Sequence, residues 1–116
     1  MSAGPPTRDD VLRAARTIEG RVRRTPLLEA DRLAPGVRLK AELLQHTGSF
    51  KARGAMNRLL ATPHEQLAHG IVTASGGNHG LAVARTAFAA GLPAAIFVPS
   101  GVSPAKVVKM QAWGAR

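Results

Sequence analysis

The chain has 116 residues, no cysteine and a formal net charge of +9. This length fits one core, and the lack of cysteine excludes disulfides and thiolate metal sites. Aromatic residues make up only 3% of the chain, so it offers no aromatic platform for stacking nucleic-acid bases. No apolar run reaches the roughly 18 residues of a membrane span, and residues 1–6 lack the apolar core of a signal peptide. We expect a cytoplasmic protein with a solvated, arginine-rich surface, and neither nucleic acid nor membrane as a partner.

The first predicted element is a helix over about residues 8–19. Thr7 is a suitable cap, and acidic residues follow in the first turn, where the helix dipole favours negative charge. Further along, residues 37–43 alternate between apolar and polar side chains. This alternation predicts a strand with one buried face. The strand would deliver the chain to a turn that contains Lys51.

Helical periodicity returns after Lys51, where four apolar side chains recur on one face: Ala52, Ala55, Met56 and Leu59. A second, shorter helix is predicted to begin at Thr62. Its signals are Thr62 as the cap, Pro63 as the first helical residue and Glu65 reaching back to the cap. Gly70 would end this helix.

The last third of the sequence predicts two buried strands, over residues 71–74 and 94–98. A helix lies between them and stops at Gly91, and Ser103 with Pro104 begins a last helix. Apolar strands that alternate with helices are typical of a parallel sheet covered on both faces, so we predict a doubly wound α/β fold.

The turn at Lys51 can present an amine into a cleft. Ser49 is a plausible N-cap, which would place Lys51 in the first turn of the following helix. The positive end of the helix dipole disfavours an ammonium group there, and partial burial has the same effect. A neutral lysine amine is the nucleophile that forms a Schiff base with an aldehyde. For a lone lysine, a surface position at the start of a helix is the more common explanation.

A second turn, residues 75–80, joins a strand to a helix and contains three glycines. Glycines permit close approach of the backbone to a ligand, and a helix N-terminus attracts anions. Asn78 can cap the helix or direct its amide at a ligand. The alternative is an ordinary glycine-rich turn, and His79 taken alone is more simply a structural residue.

Taken together, residues 47–55 and 73–80 resemble the pyridoxal-phosphate enzymes of the tryptophan-synthase-β type. Within that group they are most similar to the serine/threonine dehydratases, also called threonine ammonia-lyases. The resemblance implies β-elimination of serine or threonine to a 2-oxo acid and ammonia. It also implies a homo-oligomer in the full-length form.

The resemblance implies a role for each residue of the two turns. Lys51 would bind pyridoxal phosphate as a Schiff base and then act as the base at the substrate α-carbon. Phe50 would pack near the cofactor, and Asn78 would hydrogen-bond to its ring hydroxyl. The loop around the substrate carboxylate would consist of Ser75, Gly76, Gly77 and His79, largely through backbone N–H groups.

Other members of the same fold are alternatives, notably serine racemase and threonine synthase. Serine racemases carry a serine where this chain has Gly76, which favours elimination over racemisation. Cysteine synthases usually have Asn-Thr-Gly at residues 78–80, and this chain does not. Many dehydratases have Ala-Gln where Gly80 and Leu81 stand here, which leaves the substrate open. A non-catalytic basic binding module, or a fragment, is the alternative from another class.

The resemblance predicts two regions. Residues 1–45 would form the N-terminal helix and first strands of a large domain. Residues 46–116 would form the lysine turn and part of a small α/β domain. The family's glycine-rich phosphate loop and the residue that faces the pyridine nitrogen lie downstream of Arg116. We therefore expect an incomplete tryptophan-synthase-β-like fold, and no activity of the 116 residues alone.

Overall fold

The computed structural model describes residues 4–116, so the first three residues of the region predicted over 1–45 lie outside the described part. These described residues form four α-helices: α1 (Arg8–Thr17), α2 (Lys51–Leu60), α3 (Asn78–Ala89) and α4 (Pro104–Gln111). The same residues form four short strands: β1 (Leu27–Glu29), β2 (Arg38–Lys40), β3 (Ile71–Ala74) and β4 (Ala94–Phe97). The predicted α/β class with parallel strands is confirmed, since β3 and β4 pair in parallel.

Helix α1 begins with the capping arrangement that the sequence predicts. The Thr7 hydroxyl accepts a hydrogen bond from the backbone N–H of Asp10, and the Asp10 carboxylate accepts one from the backbone N–H of Thr7. These bonds satisfy two of the amides that a helix start leaves without partners. The hydrogen bonds to Thr7 also hold the pKa of Asp10 below its usual value.

The strand predicted over residues 37–43 is wrong in length and in burial. Only β2 is extended, all three of its residues are exposed, and residues 42–44 form a 3-10 turn. β2 pairs with β1 in an antiparallel hairpin whose residues are exposed on both faces. The alternating pattern therefore marked an isolated ribbon, which has no buried face to receive the apolar side chains.

The helix predicted to begin at Thr62 is a 3-10 turn, His64–Leu67, and its capping signals are not used. The Thr62 hydroxyl instead donates to the backbone oxygen of Arg58, in the last turn of α2, at 2.7 Å. Thr62 thus closes the preceding helix rather than opening the next, because its hydroxyl finds a carbonyl acceptor four residues back.

The core lies between the parallel strands and the helices. The four apolar residues predicted to share one face of α2 are all buried. Ile71 and Ile96 contact a cluster that includes Ala84 and Ala87 of α3 and Met110 of α4. On the opposite face of the same strands, Val72 is 69% exposed and Phe97 is 68% exposed. Within the described residues the sheet is therefore covered on one face, and the burial expected on both faces is not found.

Arg116 pairs through its backbone with β4. The backbone N–H of Arg116 donates to the oxygen of Ala94 at 2.9 Å, and the oxygen of Arg116 accepts from Ile96 at 2.7 Å. Pro93 and Phe97 direct their oxygens to β3. Because successive strand residues form hydrogen bonds on opposite sides, Arg116 lies on the edge of β4 away from β3.

Gly70 sets the start of β3, and replacing it tests that geometry. Its φ is +88°, and a Cβ there would lie 2.3 Å from the backbone oxygen of Pro93. We expect Gly70→Ala to lower the free energy of unfolding by at least about 2 kcal/mol. Gly91 has a φ of +68° and nothing within 4 Å of a Cβ, so Gly91→Ala should cost only about 1 kcal/mol. Urea denaturation of both variants measures the difference, and equal losses would contradict the clash.

Candidate active site

Lys51 is the first residue of α2 and its side chain is exposed. Its Nζ lies 5.3 Å from the ring centroid of Phe50, which is itself 60% exposed. This distance is within the range of a cation–π contact. The position at the helix start is as predicted, whereas the partial burial expected for the amine is not found. The amine is therefore accessible to a ligand.

The expected N-cap, Ser49, is wrong. Phe50 occupies the cap position with helical backbone angles, and no side chain caps α2. The Ser49 hydroxyl is buried and has no hydrogen-bond partner among the described residues. The amides at the start of α2 consequently carry no side-chain acceptor, which leaves the helix end able to receive a ligand oxygen.

Two consecutive residues before Lys51 adopt left-handed backbone conformations. Thr47 has a φ of 63° and Gly48 a φ of +74°. For a β-branched residue such as Thr47 this conformation is strained. The strain is located in the loop that delivers Lys51, so surrounding contacts have to hold that loop in place.

An ion pair between Glu42 and Arg53 holds the base of the lysine loop. The Arg53 guanidinium donates to both carboxylate oxygens of Glu42, from Nε at 2.9 Å and from Nη2 at 2.7 Å. The Thr25 hydroxyl also donates to this carboxylate, and Arg53 Nη2 reaches Thr25 Oγ1 at 3.2 Å. The hydrogen bonds from Arg53, with further help from Thr25, lower the pKa of Glu42 to about 2.

Gln45 is the second anchor of the loop and is only 2% exposed. Its Oε1 accepts from the backbone N–H groups of Arg23 and His46, each at 2.9 Å. Its Nε2 donates to the backbone oxygen of Arg23 at 2.8 Å. A buried amide that uses both of its ends fixes its orientation. Gln45 therefore fastens the lysine loop to the segment after α1.

Four residues of these anchors were not predicted from the sequence: Thr25, Glu42, Gln45 and Arg53. The only local signal was position: Glu42 stands in the stretch assigned to a strand, and Gln45 stands between that stretch and the lysine turn. Apart from the bond between Gln45 and the adjacent His46, their partners lie between 11 and 30 residues away in the chain. A polar pair at that separation has no periodicity by which it could be found.

The second predicted turn follows β3 directly. The backbone N–H of Ser75 donates to the oxygen of Phe97 at 2.9 Å, which continues the pairing of β3 with β4. The Ser75 hydroxyl accepts from the backbone N–H of Gly77 at 3.3 Å. This side-chain turn bends the chain toward α3. Ser75 is thus engaged in shaping the loop.

Gly77, rather than Asn78, occupies the N-cap of α3, and no side chain caps the helix. Asn78 is its first residue and is exposed. The amide of Asn78 is therefore available to a ligand, together with the unpaired backbone N–H groups of the first helical turn. His79 is held differently: its Nε2 lies 3.2 Å from Thr73 Oγ1. That contact ties the His79 ring to β3.

Two glycines of this turn lie where a side chain does not fit. A Cβ on Gly76 would lie 2.9 Å from Val102 Cγ2 and 3.0 Å from Pro99 Cδ. A Cβ on Gly80 would lie 2.4 Å from the backbone oxygen of Ser75. Glycine at both positions is a requirement of close packing, since real Cβ atoms do not approach other heavy atoms so closely.

Helices α2 and α3 bring the two turns to the same end of the molecule. Ala55, in the second turn of α2, clusters with Ala82 and Val83, in the second turn of α3. Further along, Leu60 and Ala89 line the same cavity. The helices therefore run in the same direction and in step. Their first residues, Lys51 and Asn78, lie at a common end.

The lysine loop also packs against the start of α3. Thr47 and Gly48 line a cleft together with Leu81, in the first turn of that helix. The arrangement provides an exposed amine beside a helix N-terminus with free N–H groups. Chemically, this combination suits a ligand with an aldehyde and negatively charged oxygens.

A metal centre and a membrane span are both absent from the described part of the chain. Among residues 4–116 no group of three or more histidine, cysteine or acidic side chains is placed to hold a metal ion. None of the helices in the same range is long and apolar enough to span a membrane.

Comparison with known proteins identifies the family. A family model described as "Pyridoxal-phosphate dependent enzyme" matches residues 18–116. The L-threonine ammonia-lyase of Geobacter sulfurreducens is 42% identical over 99 residues, which cover 82% of this chain and 25% of that protein. The phenylserine dehydratase of Ralstonia pickettii is 41% identical, with 81% and 30% covered. The L-threo-3-hydroxyaspartate ammonia-lyase of Saccharomyces cerevisiae is 37% identical, with 95% and 35% covered.

Solved structures agree with this result. Maize serine racemase superposes with a TM-score of 0.85 at 36% identity, over 93% of this chain and 34% of that one. A threonine deaminase from T.th. superposes with a TM-score of 0.80 at 39% identity, over 96% and 36%. The chain spans between 25% and 35% of the length of the three curated relatives above.

The Glu42–Arg53 pair predicts how stability depends on pH. The pKa of Glu42 is lowered from 4.5 to about 2 on folding. The stabilisation is therefore fully present above pH 4.5 and is lost as the pH falls toward 2, because the unfolded chain takes up a proton that the folded chain does not. We expect a loss of about 2 to 3 kcal/mol over this window.

Urea denaturation at a series of pH values measures this loss. Glu42→Gln should be less stable near neutral pH and should lack this part of the pH dependence. Glu29→Gln is the matched control, because Glu29 is exposed on β1. An unchanged pH profile in Glu42→Gln would show that the ion pair does not stabilise the fold.

Proposed function

Because the chain belongs to the family of pyridoxal-phosphate-dependent enzymes, we propose that it supplies the cofactor lysine and the substrate-carboxylate loop of a dehydratase. The reaction would convert serine or threonine to a 2-oxo acid and ammonia. The observation that carries this proposal is the common end of α2 and α3, where Lys51 and Asn78 are the first residues of two helices packed side by side.

The residues at this end fit the chemistry of the cofactor. Pyridoxal phosphate has an aldehyde, for which the exposed Lys51 amine is the matching nucleophile. It has a ring hydroxyl, for which the Asn78 amide is a matching donor, and no capping bond of α3 occupies that amide. The exposed ring of Phe50 offers an apolar surface beside the amine. We assign these three residues to the cofactor.

The remaining loop residues suit the substrate carboxylate. The backbone N–H of Gly76 has no acceptor within residues 4–116. It lies next to the N-terminus of α3, where a negative charge is stabilised. The N–H of Gly77 donates to the Ser75 hydroxyl and would have to exchange that bond for one to the carboxylate. Ser75 shapes the turn through its bond with Gly77, and His79 steadies the first turn of α3 through Thr73. In this proposal Ser75 and His79 orient the loop, and its amides bind the carboxylate.

The chemistry divides between the cofactor and the chain. Pyridoxal phosphate, when bound, withdraws electrons from the substrate α-carbon and so makes its proton acidic. Lys51 Nζ takes that proton and is the catalytic base. The amides of the loop would hold the carboxylate, and the proton taken by Lys51 would be returned to the departing β-hydroxyl, so that water is released. Positioning of this kind accounts for much of the rate of an enzyme, because the reacting groups no longer have to find each other.

The names of the relatives support a substrate with a β-hydroxyl group. They act on threonine, on phenylserine and on L-threo-3-hydroxyaspartate. All three compounds are amino acids with a hydroxyl on the β-carbon. They differ in what else that carbon carries, so we propose a β-hydroxy amino acid as the substrate class, with serine or threonine as the first to be tried.

Racemisation is the second candidate, because a serine racemase superposes as well as the deaminase. A racemase requires a proton carrier on the face of the substrate opposite the lysine. The resemblance to serine racemases puts that carrier at position 76, where this chain has glycine and where a Cβ would require Val102 and Pro99 to shift. This packing favours elimination.

Binding of the cofactor tests the assignment of Lys51. Purified protein titrated with pyridoxal phosphate should develop the visible absorption of the protein-bound cofactor. Borohydride reduction should leave the cofactor covalently attached to Lys51, which a mass increase at that residue detects. Lys51→Ala should abolish both signals. Lys106→Ala is the matched control, since Lys106 is an exposed lysine of α4. Retention of the absorption band in Lys51→Ala would refute the proposal.

Substitution of Gly76 tests the choice between elimination and racemisation. We expect Gly76→Ser to lower thermal stability, since Val102 and Pro99 have to move. In a full-length enzyme that contains this segment and turns over L-serine, we expect the variant to yield 2-oxo acid without D-serine. Chiral chromatography and a 2-oxo acid assay report the two products separately. Appearance of D-serine at a rate comparable to that of 2-oxo acid would show that position 76 can carry a proton in this fold.

A further inference from the structure

A basic groove runs along α1 and the segment that follows it. It encloses a space of about 390 Å³, and its lining divides into two kinds of side chain. The apolar part comes from Leu12 and Ala15 of α1 and from Ile18 and Val22 just after it, and Ile18 is only 7% exposed. The cationic part is contributed by four different segments: Arg16, Arg23, Arg24, Lys40 and Arg53.

Most of this positive charge is not neutralised within the described residues. Arg53 is paired with Glu42, but none of the other four cations forms an ion pair in residues 4–116. Glu19 is the one carboxylate in the lining, and it forms no ion pair within that range either. Arg23 Nη1 and Lys40 Nζ donate to backbone oxygens, which carry no net charge. Lys40 is also near enough to Glu42 to help lower the pKa of that carboxyl, so its charge is partly balanced. The groove thus concentrates charges that repel one another, and a bound anion would relieve that repulsion.

The side chains of Arg16 and Arg24 are the most available of the set. Both are exposed, and within residues 4–116 neither forms a side-chain hydrogen bond. Arg23, between α1 and β1, is fixed by the backbone bonds to Gln45. Arg23 in the wall of the groove is therefore fixed in place, whereas the guanidinium groups of Arg16 and Arg24 are available to bind a ligand. Guanidinium groups bind phosphate and carboxylate through two parallel hydrogen bonds.

The basic groove is separate from the amine of Lys51. Arg53 and Lys51 are two residues apart on α2, which places them roughly 200° apart around the helix axis. Arg53 faces Glu42 and the groove. The lysine amine lies over Phe50, which does not line the groove. A ligand in the groove would not compete for the amine.

We propose that the basic groove binds a small polyanion with at least two phosphate or carboxylate groups. Its volume falls in the range of small-molecule sites, about 300 to 1,000 Å³. Its concave shape gathers charges from several segments around one ligand. Nucleic acid is a poorer occupant, because none of the lining residues is aromatic and single strands bind through stacking on such rings.

Calorimetry and amide chemical-shift mapping of the 116-residue chain test the proposal, with inorganic triphosphate and citrate as probes. Both compounds should bind more tightly than inorganic phosphate, and tighter binding of one of them identifies the preferred anionic group. The shifts should concentrate in residues 12–24 and at Lys40 and Arg53. Shifts centred on residues 75–80, or spread evenly over all exposed arginines, would overturn the proposal. So would tighter binding of a short oligonucleotide.

Charge-matched variants separate the groove from general attraction to a positive protein. Arg16→Gln combined with Arg24→Gln should weaken binding of triphosphate about tenfold. The control, Arg8→Gln combined with Arg32→Gln, removes the same charge from exposed positions outside the groove. It should change binding by less than about twofold. Equal losses in the two variants would show that the groove is not a site.

Lys51→Ala should leave triphosphate binding unchanged. The proposal for the basic groove and the proposal for the cofactor lysine can therefore be refuted independently of each other.

Discussion

The structure depends on the pairing of Glu42 with Arg53. This pair joins the end of the β1–β2 hairpin to the first turn of α2, and Thr25 extends it to the segment after α1. Desolvation offsets part of the attraction in this pair, and the remainder appears as the pH-dependent stability attributed above to Glu42. The pair also acts on orientation. Arg53 stands two residues after Lys51, so fixing its guanidinium fixes the rotation of α2 and the side on which the lysine amine emerges.

The same constraint explains how a strained loop can be kept. Thr47 and Gly48 hold left-handed conformations between two anchors, Gln45 on one side and Arg53 on the other. Each anchor includes hydrogen bonds to groups outside the loop. A movement of the loop would have to break those bonds. Strain of about 1 to 3 kcal/mol per residue is maintained in proteins when the surroundings over-determine the conformation. Here those surroundings deliver a lysine to the start of a helix, and a preorganised amine is what covalent catalysis requires.

Local patterns predicted α1 to α4 well, predicted one α-helix after Thr62 that is a 3-10 turn, and predicted the polar contacts poorly. The buried stripe of α2 and the cap at Thr7 followed from spacing over a few residues, and both are confirmed. The cap assigned to Ser49 and the one assigned to Thr62 were wrong, since in each case the hydroxyl could be used in more than one way. The network around Glu42 was missed altogether. Contacts between residues far apart in the chain leave no periodic pattern in the sequence. The alternation of apolar and polar residues in an exposed two-stranded ribbon is also the same as that in a strand with one buried face. The roles assigned to the two turns stay a prediction.

The packing of Gly80 bears on what the second turn can bind. The resemblance left the substrate open because glycine stands here where many dehydratases have alanine. The structure provides a physical reason for the glycine, since the backbone oxygen of Ser75 would lie 2.4 Å from a Cβ. The turn therefore lies closer to α3 than an alanine would permit. Val102 and Pro99 press on the same turn from its other side at Gly76. The position of the amides that we propose for the substrate carboxylate is thus set partly by Pro99 and Val102, in the segment after β4.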